Sequence, residues 1–512
     1  MYIIYLIILV ILSMSFADIL NFNYSKKEYL INEMKSIKES QINQGLHLFP
    51  SVDYSNEDYV NILKNGGDLK IHPIFAIRYS NAAFEMFEDY VGSDLMWISP
   101  GLEFEYSKPI VMGFFDLGIS IQAWSRFYKH SAYGFNGDVI DNQLSMFNYN
   151  PDHSFEFYTS NFVKPEHGVE FDQGEGAVAL VSPWIDVIFG KFKSSVGPSF
   201  SGNLSLSGQS PNFAQIQTRF KLSKIDFTIV VGELYSNLFE NINYSDQYDF
   251  QNSPDIDQEN GLVKKVNRYI VNHRLDYYIR DNLRIGFYEQ VIVGHNLSFS
   301  YMIPTVPFWS AQHSLGDTDN LQLGFDIDYI GNKNRLYMAL IMDEWDPYNT
   351  FDSDNHHNWF GGQLGFSRLI SENSILKAEY TKIQPQVYTH DHPINLPYHH
   401  DYPVGFWSKG DSEEIFLNYF FKLSELKDLS IIVRHTIMGS PRYDENADFL
   451  DSDDSNPLKK RLAIGVRFSS VIDSKLGPFK YVMNLNRIDS NNLYNDGQFL
   501  DCQISLLYNI NY

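Results

Sequence analysis

The chain is poor in cysteine and in basic charge. Its 512 residues hold a single cysteine, Cys502, so no disulfide can form within the chain and no cysteine zinc cluster is available. Lys and Arg number 39 against 63 Asp and Glu, a formal net charge of −24. That balance excludes a nucleic-acid partner, because phosphate contacts need a basic surface. Long apolar runs are also missing. After residue 17, no window approaches the ~20 apolar residues that a membrane helix needs. The G-x-S-x-G, P-loop and H-E-x-x-H patterns are absent. The expectation is a chain that is not an enzyme and uses no cofactor and no metal.

Hydrophobic residues make up 44%, enough to exclude wholesale disorder, and aromatic residues reach 16%. Residues 1–17 carry no charged side chain, and Ser15-Phe16-Ala17 fits a small-x-small cleavage site, so they read as an export signal. In 18–70, Leu30, Ile31, Met34, Ile37 and Ile42 fall near helical spacing, with a second short helix at 57–64. This span reads as a small periplasmic helical region.

From about His72 the hydrophobic period becomes two. Cys502, Ile504, Leu506, Tyr508, Ile510 and Tyr512 alternate with more polar neighbours, and Leu321 to Tyr329 and Tyr269 to Ile279 do the same. These runs approach the 9 to 11 residues of a tilted membrane strand. Short polar turns alternate with long loops at 236–264, 294–319, 344–357, 385–412, 438–458 and 489–498. That alternation is the pattern of outer-membrane barrels, with short periplasmic turns and long external loops. Counting back from the C-terminus gives about 18 strands. The weakest are upstream, near 72–80, 97–107, 111–125, 169–181 and 184–192. The fold expected for 71–512 is an all-β, transmembrane antiparallel β-barrel in the bacterial outer membrane.

In such a barrel one side of each strand meets lipid and the other meets the lumen. Alternation turns Arg219, Lys221, Arg268, Arg274, Arg280, Arg284, Arg335, Arg434, Arg461, Arg467 and Lys480 inward, with Asp276, Asp326 and Asp328 on the same side. An Arg-rich lumen suits an acidic sugar chain or an anion pore, since the guanidinium fork grips carboxylates and phosphates. A salt-bridged network that fills the lumen is the alternative. Negative charge gathers in the loops, at Asp246–Glu259 and Asp444–Asp454. Such runs offer oxygen ligands to Ca²⁺, but neither matches a calcium loop, and a solvated surface is expected. The loop histidines 356, 357, 390, 392, 399 and 400 read as surface residues. Trp309, Trp345, Trp359 and Trp407 read as interfacial girdle or as faces for sugar stacking.

The segment 184–213, WIDVIFGKFKSSVGPSFSGNLSLSGQSPNF, resembles the signature of the Wzi-type capsule assembly family. Gly190-Lys191, Gly197-Pro198, Gly202, Leu204, Leu206 and Ser207 keep its frame, while Val196 stands where that signature has Trp. Segments LRIGFYEQVIVG, IPTVPF and GDTDNLQLGFD, within 282–326, follow in a similar order. The resemblance implies an 18-stranded barrel with a periplasmic helical bundle, acting as a lectin-like holder of capsular polysaccharide and not as an enzyme. It places Lys191, Lys193 and Ser195 as polysaccharide-binding candidates beside Arg219, Arg268, Arg274 and Arg284. The expected partners are surface polysaccharide, outer-membrane lipid and, from the terminal aromatic Tyr512, the barrel assembly machinery. A porin-like or substrate-specific channel is the rival reading.

Overall fold

The computed structural model describes residues 68–80, 95–112, 117–134 and 168–235 apart from 183, short pieces at 239–241 and 250–251, and most of 263–511. The main gaps in the last span are 344–358, 440–457 and 492–496. The expected export signal, the helical region up to residue 67 and the acidic loop clusters lie outside the described residues.

The wall begins with β1 (Asp68–Ser80), β2 (Leu95–Met112), β3 (Leu117–Gly134), β4 (Gly168–Val181), β5 (Ile185–Phe192) and β6 (Phe213–Leu222). It continues with β7 (Ile225–Leu234), β8 (Arg268–Arg280), β9 (Leu283–Gly294), β10 (Asn320–Ile330), β11 (Asn334–Asp343) and β12 (Trp359–Ser371). The last third is β13 (Ser374–Ile383), β14 (Ser412–Ser424), β15 (Lys427–Met438), β16 (Lys459–Ser474), β17 (Gly477–Asn491) and β18 (Gly497–Tyr508, resuming at Ile510–Asn511). Each strand pairs antiparallel with the next. β18 pairs back onto β1, with Ile74 opposite Leu507 and Lys70 opposite Asn511. The sheet therefore closes. Its 19 segments make 18 strands, because Ile510–Asn511 prolongs β18 along the same neighbour.

The wall is polar inside and apolar outside. Phe189, Phe287 and Leu364 are 63%, 51% and 56% exposed, whereas Gln290, Gln322 and Asp326 are fully buried. A soluble protein buries the first kind of residue and exposes the second. A closed sheet with this reversed polarity leaves no unpaired strand edge and suits a lipid surround. Arg219, Arg268, Arg274, Arg284, Arg335, Arg434 and Arg461 all sit on the inner parity, as alternation predicts.

The upstream boundaries differ from expectation. The first strand starts at Asp68, inside the span read as helical. The strand expected at 97–107 runs from Leu95 to Met112, and the one expected at 111–125 runs from Leu117 to Gly134. Among the described residues, β1 pairs with β2 as far as Ser107, and 108–112 pair with β3.

Candidate functional site

Between β5 and β6 the chain leaves the wall and enters the lumen. Residues 193–212 are mostly buried, with Ser195 exposed, although they belong to no long strand. The course depends on glycine. Gly197 and Gly202 have φ of 137° and 129°, and a Cβ on Gly202 would lie 2.3 Å from the Gln209 side chain. The signature residues Leu204, Leu206 and Ser207 are thus structural: Leu206 packs with Val196, Phe213, Val230, Ile270, Ile292 and Val404. We refer to 193–212 as the plug.

Polar groups of the wall hold the plug. The Glu379 carboxylate accepts from the N–H of Phe200 (2.7 Å) and of Ser201, and from the Tyr337 hydroxyl. Gln363 donates to the Gly202 carbonyl at 2.7 Å and accepts from the Ser199 hydroxyl at 2.8 Å. Asn272 donates to the Ser205 hydroxyl, which donates to Gln290, both at 2.9 Å. Asn212 donates to Glu175 at 2.8 Å, and Arg335 to the Pro198 carbonyl at 2.9 Å. The plug is therefore bonded to strands from β4 round to β13.

A second inward loop, 384–411, lies on it. The Tyr388 hydroxyl donates to the Leu204 carbonyl, and the Ser207 N–H to the Val404 carbonyl at 2.8 Å. His399 pins the two loops to the rim. Its Nδ1 accepts from the Tyr235 N–H at 2.9 Å, so the proton is on Nε2, which donates to the Asn212 carbonyl at 3.3 Å. Burial holds this ring well below the ordinary histidine range, reinforced by His400, Lys191 and Arg268 nearby.

The arginines that alternation turns inward are engaged by protein groups. Arg268 donates Nε to the Ile394 carbonyl at 2.6 Å, and its two Nη atoms to the carbonyls of Leu396 and Tyr398. Arg219 pairs with Asp226. Arg274 bridges Asp276 and Asp326, each at 2.6 Å. Arg284 reaches Asp276, Asp326 and Asp328 at 3.3–3.6 Å, and Arg335 meets Asp328 at 2.8 Å. Four guanidiniums face four carboxylates, so this ladder carries no net charge. It is the space-filling network weighed above as the alternative.

The signature-borne candidates separate. Lys193 is buried in the plug, 3.5 Å from the Gln209 carbonyl. Ser195 lies opposite Ser207 and accepts from Asn203 at 2.8 Å. Lys191 is exposed on β5, near enough to Glu175 and His399 to act on both. Trp359 and Trp407 are core residues, correcting the girdle reading: both pack with Leu204, Ile341, Val387 and Phe406, and Trp407 Nε1 donates to Glu414 at 2.6 Å. His399 is likewise buried, not a surface histidine.

A patch that alternation does not reveal lies at the mouth. Tyr235 stacks on His400 with centroids 5.4 Å apart, and Lys409 Nζ lies 5.2 Å over the Tyr398 ring. Of the five non-glycine residues with positive φ among those described, Tyr388, His400, Lys409 and Asp411 belong to this one loop. Backbone strain of this kind gathers at ligand sites. Only the positive-φ geometry marks the patch. No residue pattern in 384–411 announces it.

The closed wall, the reversed polarity and the inward loops define a transmembrane β-barrel of the outer-membrane type with a filled lumen. No family model matches the chain, and no curated protein matches it by sequence. Among solved structures it is similar to Wzi of Escherichia coli, an outer-membrane protein described as a carbohydrate-binding β-barrel involved in group 1 capsule assembly. The TM-score is 0.48 at 10% identity, covering 88% of this chain and 86% of that one. It is similar to OccAB4 of Acinetobacter baumannii (TM-score 0.47, 12% identity, 88% and 99% covered) and to the outer-membrane protein OprD of Pseudomonas aeruginosa (0.44, 10%, 88% and 95%). Likenesses at this level carry no argument about activity.

Proposed function

We propose that the chain is a plugged outer-membrane barrel that binds surface polysaccharide at its mouth and helps hold or assemble a capsule. The observation that supports this reading is the filled interior: two loops and a charge-neutral Arg–Asp ladder occupy the lumen. Among the described residues, the lumen beside β4 to β13 is occupied by these groups. What stays accessible is the rim patch of Tyr235, Tyr398, His400 and Lys409, aromatic faces for sugar rings beside a cation for acidic groups. The Arg candidates act in this reading as supports of the loops that present the patch. Outer-membrane lipid and the barrel assembly machinery are the other partners it implies, and it assigns no catalysis.

The test is calorimetric titration of the purified, folded barrel with its host's surface polysaccharide. Saturable binding is expected, weakened at least tenfold by Tyr235→Ala with Tyr398→Ala. Absence of binding together with steady single-channel conductance in a planar bilayer overturns the reading in favour of the channel.

A further inference from the structure

The loop between β9 and β10 takes a course that alternation does not foresee: it folds back over the outside of the wall. Val271 and His273 of β8, Glu289, Val291 and Val293 of β9, and Leu321 of β10 all lie on the outer parity. Val271 and Val291 are nevertheless fully buried. They are covered by Tyr301, Phe308 and Ala311, with Leu297 and Val306 at the margin. The cover is a 3-10 turn (Phe299–Met302) followed by α1 (Phe308–Leu315). Glu289 anchors it, accepting from the Phe308 N–H at 2.9 Å and from His273 at 3.3 Å, while His273 lies against the Phe308 ring at 4.3 Å.

The far side of this cover is apolar and open. Phe299 is 82% exposed, and Met302, Ile303, Trp309 and Leu315 are exposed as well. From Gln290 to Gly316 the chain contains no Asp, Glu, Lys or Arg, whereas the long loops at 236–264, 344–357 and 438–458 are acidic. Its height is fixed by the wall. Exposed apolar residues reach the short-turn end at Leu222, Ile370 and Leu423. From Leu283 at that end to Glu289, a rise of about 3.3 Å per residue at a tilt of about 40° gives roughly 15 Å. The apolar band of such barrels is about 25 Å tall, so the cover begins inside it, one outward position above lipid-facing Phe287. The backbone is prepared for that place. The N–H groups of Tyr301, Val306, Phe308, Ser310, Ala311 and Gly316 are all bonded within the protein, and Pro304 and Pro307 have none. Irregular backbone at membrane depth is tolerated where protein covers it and its polar groups find partners there.

We propose that residues 297–315 form a lipid-embedded flap, lying in the outer half of the bilayer against β7–β10, with Phe299, Met302, Ile303 and Trp309 in contact with lipid. This rests on the reading of the wall as membrane-spanning. The continuity of the flap's open face with the apolar wall names the lipid as its occupant.

The test uses the full chain with Cys502→Ser, reconstituted in phosphatidylcholine vesicles with and without doxyl-labelled phosphatidylcholine. An environment-sensitive fluorophore is attached at F299C or I303C, with F287C as the wall reference and N373C, in a short turn, as the aqueous reference. At least twofold quenching by doxyl lipid and a blue-shifted emission at residues 299 and 303, as at 287, is the expected result. Behaviour like residue 373 while 287 is quenched overturns the flap alone. Blue-shifted but unquenched emission at 299 and 303 overturns it in favour of cover by a second copy. An unquenched 287 overturns the membrane-spanning reading itself, and the flap with it.

Discussion

The plug and the flap leave the same end of the barrel and solve opposite problems. The plug enters a polar lumen and is held by side-chain hydrogen bonds from Glu379, Gln363, Asn272 and Gln290. The flap covers an apolar wall and is held by packing around Phe308, with the carboxylates of Glu289 and Asp319 accepting from the Phe308 N–H and the Tyr301 hydroxyl. Each loop carries the chemistry of the surface it meets. The plug is rich in Ser, Asn, Gln and Gly, and the flap is free of formal charge. The lesson is that the side of the wall a loop chooses is set by its own composition, not by its length. Polar atoms are satisfied inside, where partners exist, and would be orphaned against lipid.

That contrast can be broken from either side. The largest effect is expected at Glu379→Ala. It leaves the Phe200 and Ser201 N–H groups and the Tyr337 hydroxyl unpaired in a buried site, a loss on the order of 4 kcal/mol confined to the plug. Ion conductance absent from the parent protein should then appear in planar bilayers while the barrel stays folded. An equally silent variant would show that the plug does not depend on this carboxylate. Phe308→Ala should cost about 3 kcal/mol through the cavity left under the flap. Hydrogen exchange should speed up at Tyr301 and Ala311 and stay unchanged at Ser201 and Ser207. Parallel changes in both loops would mean that they are one cooperative unit.

The smallest and most selective effect is that of pH on the plug. His399 is neutral in the fold, and its pKa lies well below the ordinary 6.5. Below about pH 6.5 the unfolded chain takes up a proton that the folded ring refuses, so the stability His399 lends is full above that pH and declines as pH falls. Protease sensitivity of 193–212 should therefore rise between pH 7 and 5. His399→Gln should flatten the response, and an unchanged profile in that variant would place the titrating group elsewhere.

Much of the wall was legible because a barrel strand has two solvents and a period of two. Lipid and lumen impose opposite demands at each step, so the inward parity of Arg274, Arg284 and Asp326 could be written from alternation alone, and the loop rhythm gave the 18 strands and their antiparallel order. The signal failed upstream, where β2 continues to Met112 and β3 runs on to Gly134. The candidate site was far less legible. Gly197, Gly202, Leu204 and Leu206 form a visible pattern, but whether such a segment projects outward or fills the lumen depends on partners such as Glu379 and Gln363, more than 160 residues away. The same holds for the flap, whose lack of charge was visible in the residues while the wall it covers was not.

The sequence by itself determined the closed, two-faced wall, because period-two alternation is a local property of each strand. Tertiary structure alone decided that the arginines are paired, that one loop plugs the barrel and that another lies on its outer face. The reason is physical: a guanidinium or a loop is satisfied by whichever partners closure brings within about 3 Å, and closure joins residues that the chain keeps far apart.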